Sequence, residues 1–162
     1  MTILSTAKDP DALTFTIVSQ WPVPPPRVWQ VWSDPRQLER WWGPPTWPAT
    51  FEQHDVVVGG RSSYYMTGPA GEKANGWWQF VSVDEPTRLA FDDGFADDSG
   101  TPDASMPTIR IQVDLIGAEG GTRMTITSEF STAEQMEQVV AMGMVEGMTA
   151  ALNQLDDLLV DH

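Results

Sequence analysis

Cysteine is absent from this 162-residue chain, and histidine is limited to the internal His54 and the terminal His162. Without cysteine there is no disulfide framework, no thiolate metal site and no cysteine nucleophile, and the composition fits a reducing cytoplasm, which is the expected location. No two histidines stand at metal-ligand spacing and no Gly-x-Ser-x-Gly elbow is present. Metallohydrolase and serine-hydrolase chemistry lose their support, and no metal is expected. Gly59-Gly60 reads as a bulge or tight turn between two strands, and no helix follows it as a phosphate-binding loop would require, so no nucleotide or other cofactor is expected.

Positive charge is scarce too: 9 Lys and Arg face 23 Asp and Glu, for a formal net charge of -14 and an isoelectric point near 4.2. Such a surface repels phosphate backbones and anionic headgroups, so neither nucleic acid nor membrane is an expected partner. Apolar runs are short, well below the roughly eighteen residues of a membrane span. The first ten residues lack the basic start and apolar core of a signal peptide, so the chain reads as soluble and unexported. The acid in Asp92-Asp93, Asp97-Asp98, Asp103 and Asp156-Asp157 reads as solvated loop and helix-face charge.

What the chain has in quantity is tryptophan, 8 residues, with 13 prolines and 13 glycines as punctuation. Its length suits one domain over 1–162 that buries roughly 70% of its unfolded surface. Residues 1–11 are expected to be flexible. Leu13, Phe15, Ile17 and Trp21 then alternate with polar residues, the period of a half-buried strand. Pro24-Pro25-Pro26 ends it and opens a helix carrying Val28, Trp29, Val31 and Trp32, which Asp34-Pro35 breaks. Leu38, Trp41 and Trp42 make a second short helical turn, closed by Gly43-Pro44-Pro45.

A meander follows, with strands expected near 50–57, 61–67, 76–84, 88–91, 108–116 and 122–130. The segment 92–107 is too polar and too rich in Gly and Pro to be an element, and is expected to be a mobile acidic loop that could act as a lid. From Ser131-Thr132, with Glu134 in the first turn, one long helix is expected to reach Val160. Its apolar stripe is Met136, Val140, Met144, Met148, Ala151, Leu152, Leu155, Leu158 and Leu159.

The ensemble of Val28-Trp29, Asp34-Pro35, Leu38, Trp41-Trp42-Gly43-Pro44, Asp55, Gly59-Gly60, Gly71, Gly76, Pro86, Leu89, Gly121-Thr122-Arg123-Met124-Thr125, Gly147 and Leu152 to Leu159 resembles the START-like superfamily. This superfamily is also called SRPBCC or Bet v 1-like helix-grip; the branch is that of homologues of the activator of heat shock protein ninety ATPase. The resemblance implies an α+β helix-grip fold: a curved antiparallel sheet of about seven strands, two short helices after the first strand, and a long C-terminal helix over the sheet. It also implies a cavity between that helix and the sheet. Met148 stands where members of this branch usually carry a tryptophan, and the acidic loop looks longer than usual.

Adjacent tryptophans in a strand or tight turn point to opposite sides, so one of each pair in Trp41-Trp42 and Trp77-Trp78 is expected to face the cavity or water. The expected cavity wall is Trp41, Trp42, Trp47, Tyr64, Met66, Trp78, Phe80, Phe91, Met144 and Met148. Gly143 and Gly147 lower the helix surface there, since glycine inside a helix costs about 1 kcal/mol and calls for a reason. For proton transfer the candidates are His54, with Glu52 or Arg61 as partner, Tyr64 and Glu129. The leading expectation is a protein that binds a small hydrophobic molecule, aromatic or lipid-like. A cyclase- or hydratase-type enzyme using the same cavity is the alternative, and a chaperone ATPase co-regulator the third. A second copy of the chain is a candidate partner if aromatics such as Trp47 lie in an exposed patch.

Overall fold

The computed structural model describes residues 2–160; His162, and with it the first residue of the expected flexible start, lies outside that range. Eight strands form one antiparallel sheet in the order β1-β2-β8-β7-β6-β5-β4-β3. They are β1 (Thr2–Asp9), β2 (Thr14–Trp21), β3 (Ala49–His54), β4 (Arg61–Thr67), β5 (Lys73–Asp84), β6 (Arg88–Phe95), β7 (Ile109–Ala118) and β8 (Gly121–Glu129). The helices are α1 (Pro25–Ser33), α2 (Pro35–Leu38), α3 (Ala133–Ala141) and α4 (Met144–Val160). The expected α+β helix-grip class holds: α1 and α2 follow the strand that begins at Thr14, and α4 packs on the concave core side of the sheet.

Both ends of the chain differ from expectation. The start of the chain is a strand, because Thr2–Asp9 pairs antiparallel with β2 along nearly its whole length. From Leu4 on its residues are exposed, so no hydrophobic alternation marks it, and backbone pairing holds it in place with Ile3 packed against the core. At the other end, the helix expected from Ser131 to Val160 is two helices. Gly143 takes a left-handed conformation (φ 91°) and stops α3, whose N-terminus is capped by Thr132 accepting from the Gln135 N–H at 3.1 Å. The break divides the apolar stripe between α3, which buries Met136 and Val139, and α4, which buries Met148, Ala151, Leu152, Leu155, Leu158 and Leu159.

The alternation in β2, β7 and β8 is that of one buried and one wet face: Phe15, Ile17 and Trp21, then Ile109, Ile111, Val113 and Leu115, then Met124 and Ile126 all turn inward. In α1 the prolines sit where backbone N–H groups have no helical partner, and Val28, Trp29, Val31 and Trp32 are buried. Asp34 ends α1 and caps α2 by accepting from the Arg36 N–H at 2.9 Å.

Rings fill the centre. Trp78 stacks on Phe91 with centroids 3.9 Å apart, Trp32 meets Trp41 edge-on at 4.7 Å, and Trp42 meets Trp78 edge-on at 5.0 Å. The rule that neighbouring tryptophans diverge holds for Trp77-Trp78 in β5: Trp78 is inside, while half-buried Trp77 lies on the outer face and donates to the Phe95 carbonyl at 3.1 Å. In Trp41-Trp42, which follow α2 in a turn and not in a strand, both are buried with rings at 84° to each other, and Trp42 is the one turned to the open space beneath α4. Trp41 completes its packing by donating from Nε1 to the Val31 carbonyl at 3.0 Å.

Candidate functional site

Where β6 and β7 pass beneath the first turns of α4, the core stops short. A cavity of about 180 Å³ remains, walled by Met144, Gly147, Met148 and Ala151 of α4, Ile109 and Ile111 of β7, Met66 of β4 and the Trp42-Gly43-Pro44 turn. Asp93 of β6 completes the wall. A second chamber of about 110 Å³ adjoins it, lined by Tyr64, Ala74, Asn75, Gly76, Gly94 and Phe95, and it shares Met66, Asp93 and Ile109 with the first. A broader hollow of about 760 Å³ between Pro25-Pro26 and the β5–β6 turn mixes prolines with Asp84, Arg88 and Asp114 and offers no continuous apolar wall.

Local sequence explains the opening. Gly147 is helical, and a Cβ built on it would meet nothing within 4 Å, so close approach of the sheet is not its reason. The missing side chain leaves space above the cavity. Gly76 serves the opposite purpose: a Cβ there would stand 2.5 Å from the Tyr64 ring, so its absence lets Tyr64 lie flat over β5. The roof is tied down by Gln154 of α4, whose Nε2 donates to the Gly43 carbonyl at 2.6 Å and the Trp41 carbonyl at 3.3 Å.

Asp93 is the one carboxyl in both linings, and composition had placed it among solvated loop charges. That reading is corrected, because β6 runs to Phe95 and carries Phe91, Asp93 and Phe95 toward one face. Its neighbour Asp92 points outward and pairs with Arg110. The irregular segment is accordingly shorter than 92–107: it starts after Phe95, and even there Ala96 bridges to Pro102. The alternation with Phe91 was the signal that could have found Asp93.

Tyr64 donates its hydroxyl to Asp93 Oδ1 at 2.9 Å. Burial lifts the Asp93 carboxyl to about 7, against the pull of the Tyr64 hydroxyl and the nearby Trp78 indole. The same burial, with the Asp93 charge, pushes the Tyr64 hydroxyl well above the usual phenol range. The Trp42 and Trp78 indole N–H groups come close to this pair but complete no hydrogen bond among the described residues.

The remaining predicted residues divide. Trp42, Met66, Met144 and Met148 line the larger chamber and Tyr64 the smaller. Trp41, Trp78, Phe80 and Phe91 are buried behind it in the aromatic core and line neither. Trp47 is half-buried beside Gly68, belongs to neither lining although its carbonyl crowds Gly43, and is not an exposed patch residue. Glu129 is exposed at the end of β8, near Asp92 and Arg110 in a shallow polar hollow.

His54 is not poised as a base. Its Nε2 lies 2.8 Å from the Trp32 carbonyl, which can only accept, so Nε2 carries the proton and Nδ1 accepts from the Ser62 hydroxyl at 2.6 Å. Burial holds its pKa below the usual imidazole range. Both nitrogens are occupied in tying α1 to β3 and β4, and the expected partners Glu52 and Arg61 are exposed.

Among the described residues no helix is long and apolar enough to cross a membrane. Residues 22–160 match the family model described as Activator of Hsp90 ATPase homolog 1-like protein. A protein from Arthrobacter aurescens, solved by solution NMR, is 52% identical, with 99% of this chain and 94% of that one covered and a TM-score of 0.94. A crystal structure from Mycobacterium smegmatis is 44% identical over 98% of this chain and 97% of the other, with a TM-score of 0.90. The AHSA1 protein from Silicibacter pomeroyi, at 22% identity, covers 92% of this chain and 99% of its own with a TM-score of 0.73, a likeness of fold alone. No curated protein matches the chain.

Proposed function

Since the chain belongs to the family of Activator of Hsp90 ATPase homolog 1-like proteins, we propose that it binds a small, largely apolar molecule between α4 and the sheet, in the cytoplasm. The observation that supports this reading is the cavity itself. Close packing is the rule in protein interiors, and about 180 Å³ of space faced by three methionines, two isoleucines and a helical glycine departs from it. An apolar void of about 150 Å³ is enough to take up a benzene-sized molecule in other proteins. Affinity would come from apolar burial at roughly 25 cal/mol per Å², with methionine side chains adapting to the occupant's outline. Native mass spectrometry of freshly purified protein tests the reading. A retained mass of ring or short-chain size supports it. An apo mass, with no shift after exposure to aromatic and lipid probes, refutes it.

A proton-transfer enzyme using the same cavity is the second reading, and one observation favours it: a carboxyl with pKa about 7 faces the apolar space. The residue in question is Asp93, with Tyr64 as its partner, and not His54 or Glu129. Turnover of a retained ligand that disappears in Asp93→Asn while binding persists would decide for the enzyme.

A further inference from the structure

The wall of the larger chamber is apolar except at one place. Asp93 presents the only carboxyl of that lining, one oxygen of which accepts from Tyr64, while the indole N–H of Trp42, which shares the lining, stands near that pair without a completed hydrogen bond and that of Trp78 lies behind the wall. An occupant must therefore answer a carboxyl and one indole donor at one end and apolar side chains, chiefly methionine and isoleucine, over the rest of the wall.

Three polar ends can be compared. An ammonium brings three donors and no acceptor; it would leave N–H groups unsatisfied in an apolar chamber and require a buried ion pair whose desolvation offsets its attraction. A carboxylate would set a second anion against Asp93 inside a protein whose net charge is already -14. A hydroxyl is one donor and an acceptor in the same atom. It donates to Asp93 when that carboxyl is ionised, accepts from it when protonated, and keeps an acceptor lone pair for an indole N–H. The space fits one ring or a short branched chain, well below the roughly 300 Å³ at which pockets for drug-sized ligands begin.

We propose that the cavity selects a neutral, single-ring molecule bearing one hydroxyl, its ring against Met66, Ile109, Ile111 and Met148 and its hydroxyl on Asp93. This rests on the ligand-binding reading above and adds the chemical class. Isothermal titration with p-cresol, toluene, benzylamine and benzoate as probes tests it on wild type, Asp93→Leu and Asp93→Asn. The expected result is p-cresol binding at least tenfold tighter than toluene in wild type, a preference lost in Asp93→Leu and partly retained in Asp93→Asn. Toluene equal to p-cresol in wild type overturns the inference and leaves the cavity reading standing. Benzylamine or benzoate as the tightest probe overturns it in favour of a charged ligand. Failure of all four probes counts against ligand binding itself, and the inference falls with it.

Discussion

Around Trp78 the space between sheet and helices is filled by rings set edge-to-face and stacked, with Trp32, Trp41, Trp42, Phe51, Phe80 and Phe91 all buried. Under the first turns of α4 the same sheet is faced by Met144, Gly147, Met148 and Ala151, and a void remains. One end is packed with rigid, few-rotamer side chains that lock a unique arrangement. The other uses flexible thioethers, an absent side chain and a single carboxyl. Trp42 stands at the border, in contact with Trp78 on one side and the void on the other. Ring packing that stabilises the fold is thus concentrated at one end of the core and the space for a ligand at the other, with Asp93 the hollow end's own contribution to stability.

The largest effect is expected at the solid end. Trp78→Ala should cost about 3–5 kcal/mol, because it empties a fully buried ring site that touches six other aromatic residues and His54. Met144→Ala at the hollow end should cost about 1 kcal/mol or less, since that side chain is only half-buried. Chemical denaturation of the two variants checks the contrast, and equal losses would dissolve the distinction between the ends.

Next comes pH. A carboxyl raised from 3.8 to about 7 binds its proton more tightly in the folded chain than in the unfolded one. The stability it contributes is therefore fully present below about pH 4 and is lost as pH rises through 7. Asp93→Asn removes that dependence. Relative to Asp93→Asn, wild type should lose on the order of a few kcal/mol between pH 4 and 8 in urea titrations. A constant difference between the two proteins across that range would contradict the burial of Asp93.

Filling the void separates binding from folding. Met148→Trp puts a large ring at a position that lines the cavity. Affinity for a bound ring should fall at least about tenfold while thermal stability holds or rises. Calorimetry of both properties checks this. The smallest effect is expected for Gly147→Ala, where no clash awaits the new methyl. Helix propensity should add about 0.5–1 kcal/mol, or roughly 2–4 °C in Tm, with a modest loss of affinity.

The solid end was the legible one. Alternation in β2, β7 and β8, the proline-started α1 and the turn after α2 follow from local periodicity and capping, and the helix-grip arrangement follows from the resemblance their residues carry. β1 was invisible because an exposed edge strand has no buried face to imprint on its sequence. The division at Gly143 was invisible because a glycine in a helical pattern reads alike whether it is tolerated or takes a left-handed turn. At the hollow end, Met66, Met144, Met148 and Gly147 were legible as a soft, low surface. Asp93 was not, because composition counts a charge as solvated, whereas strand register placed it opposite Trp78, with Tyr64 bonded to it and facing inward.

Methyl NMR of ¹³C-methionine-labelled protein during titration with p-cresol tests the central contrast most directly, because methionines report from both ends. The methyl signals of Met66, Met144 and Met148 should move together and saturably, while that of Met124, fully buried on β8 and outside the cavity lining, stays in place. Shifts at Met124 equal to those at Met148, or saturation with no shift at the three cavity methionines, would contradict a hollow binding end set beside a solid core.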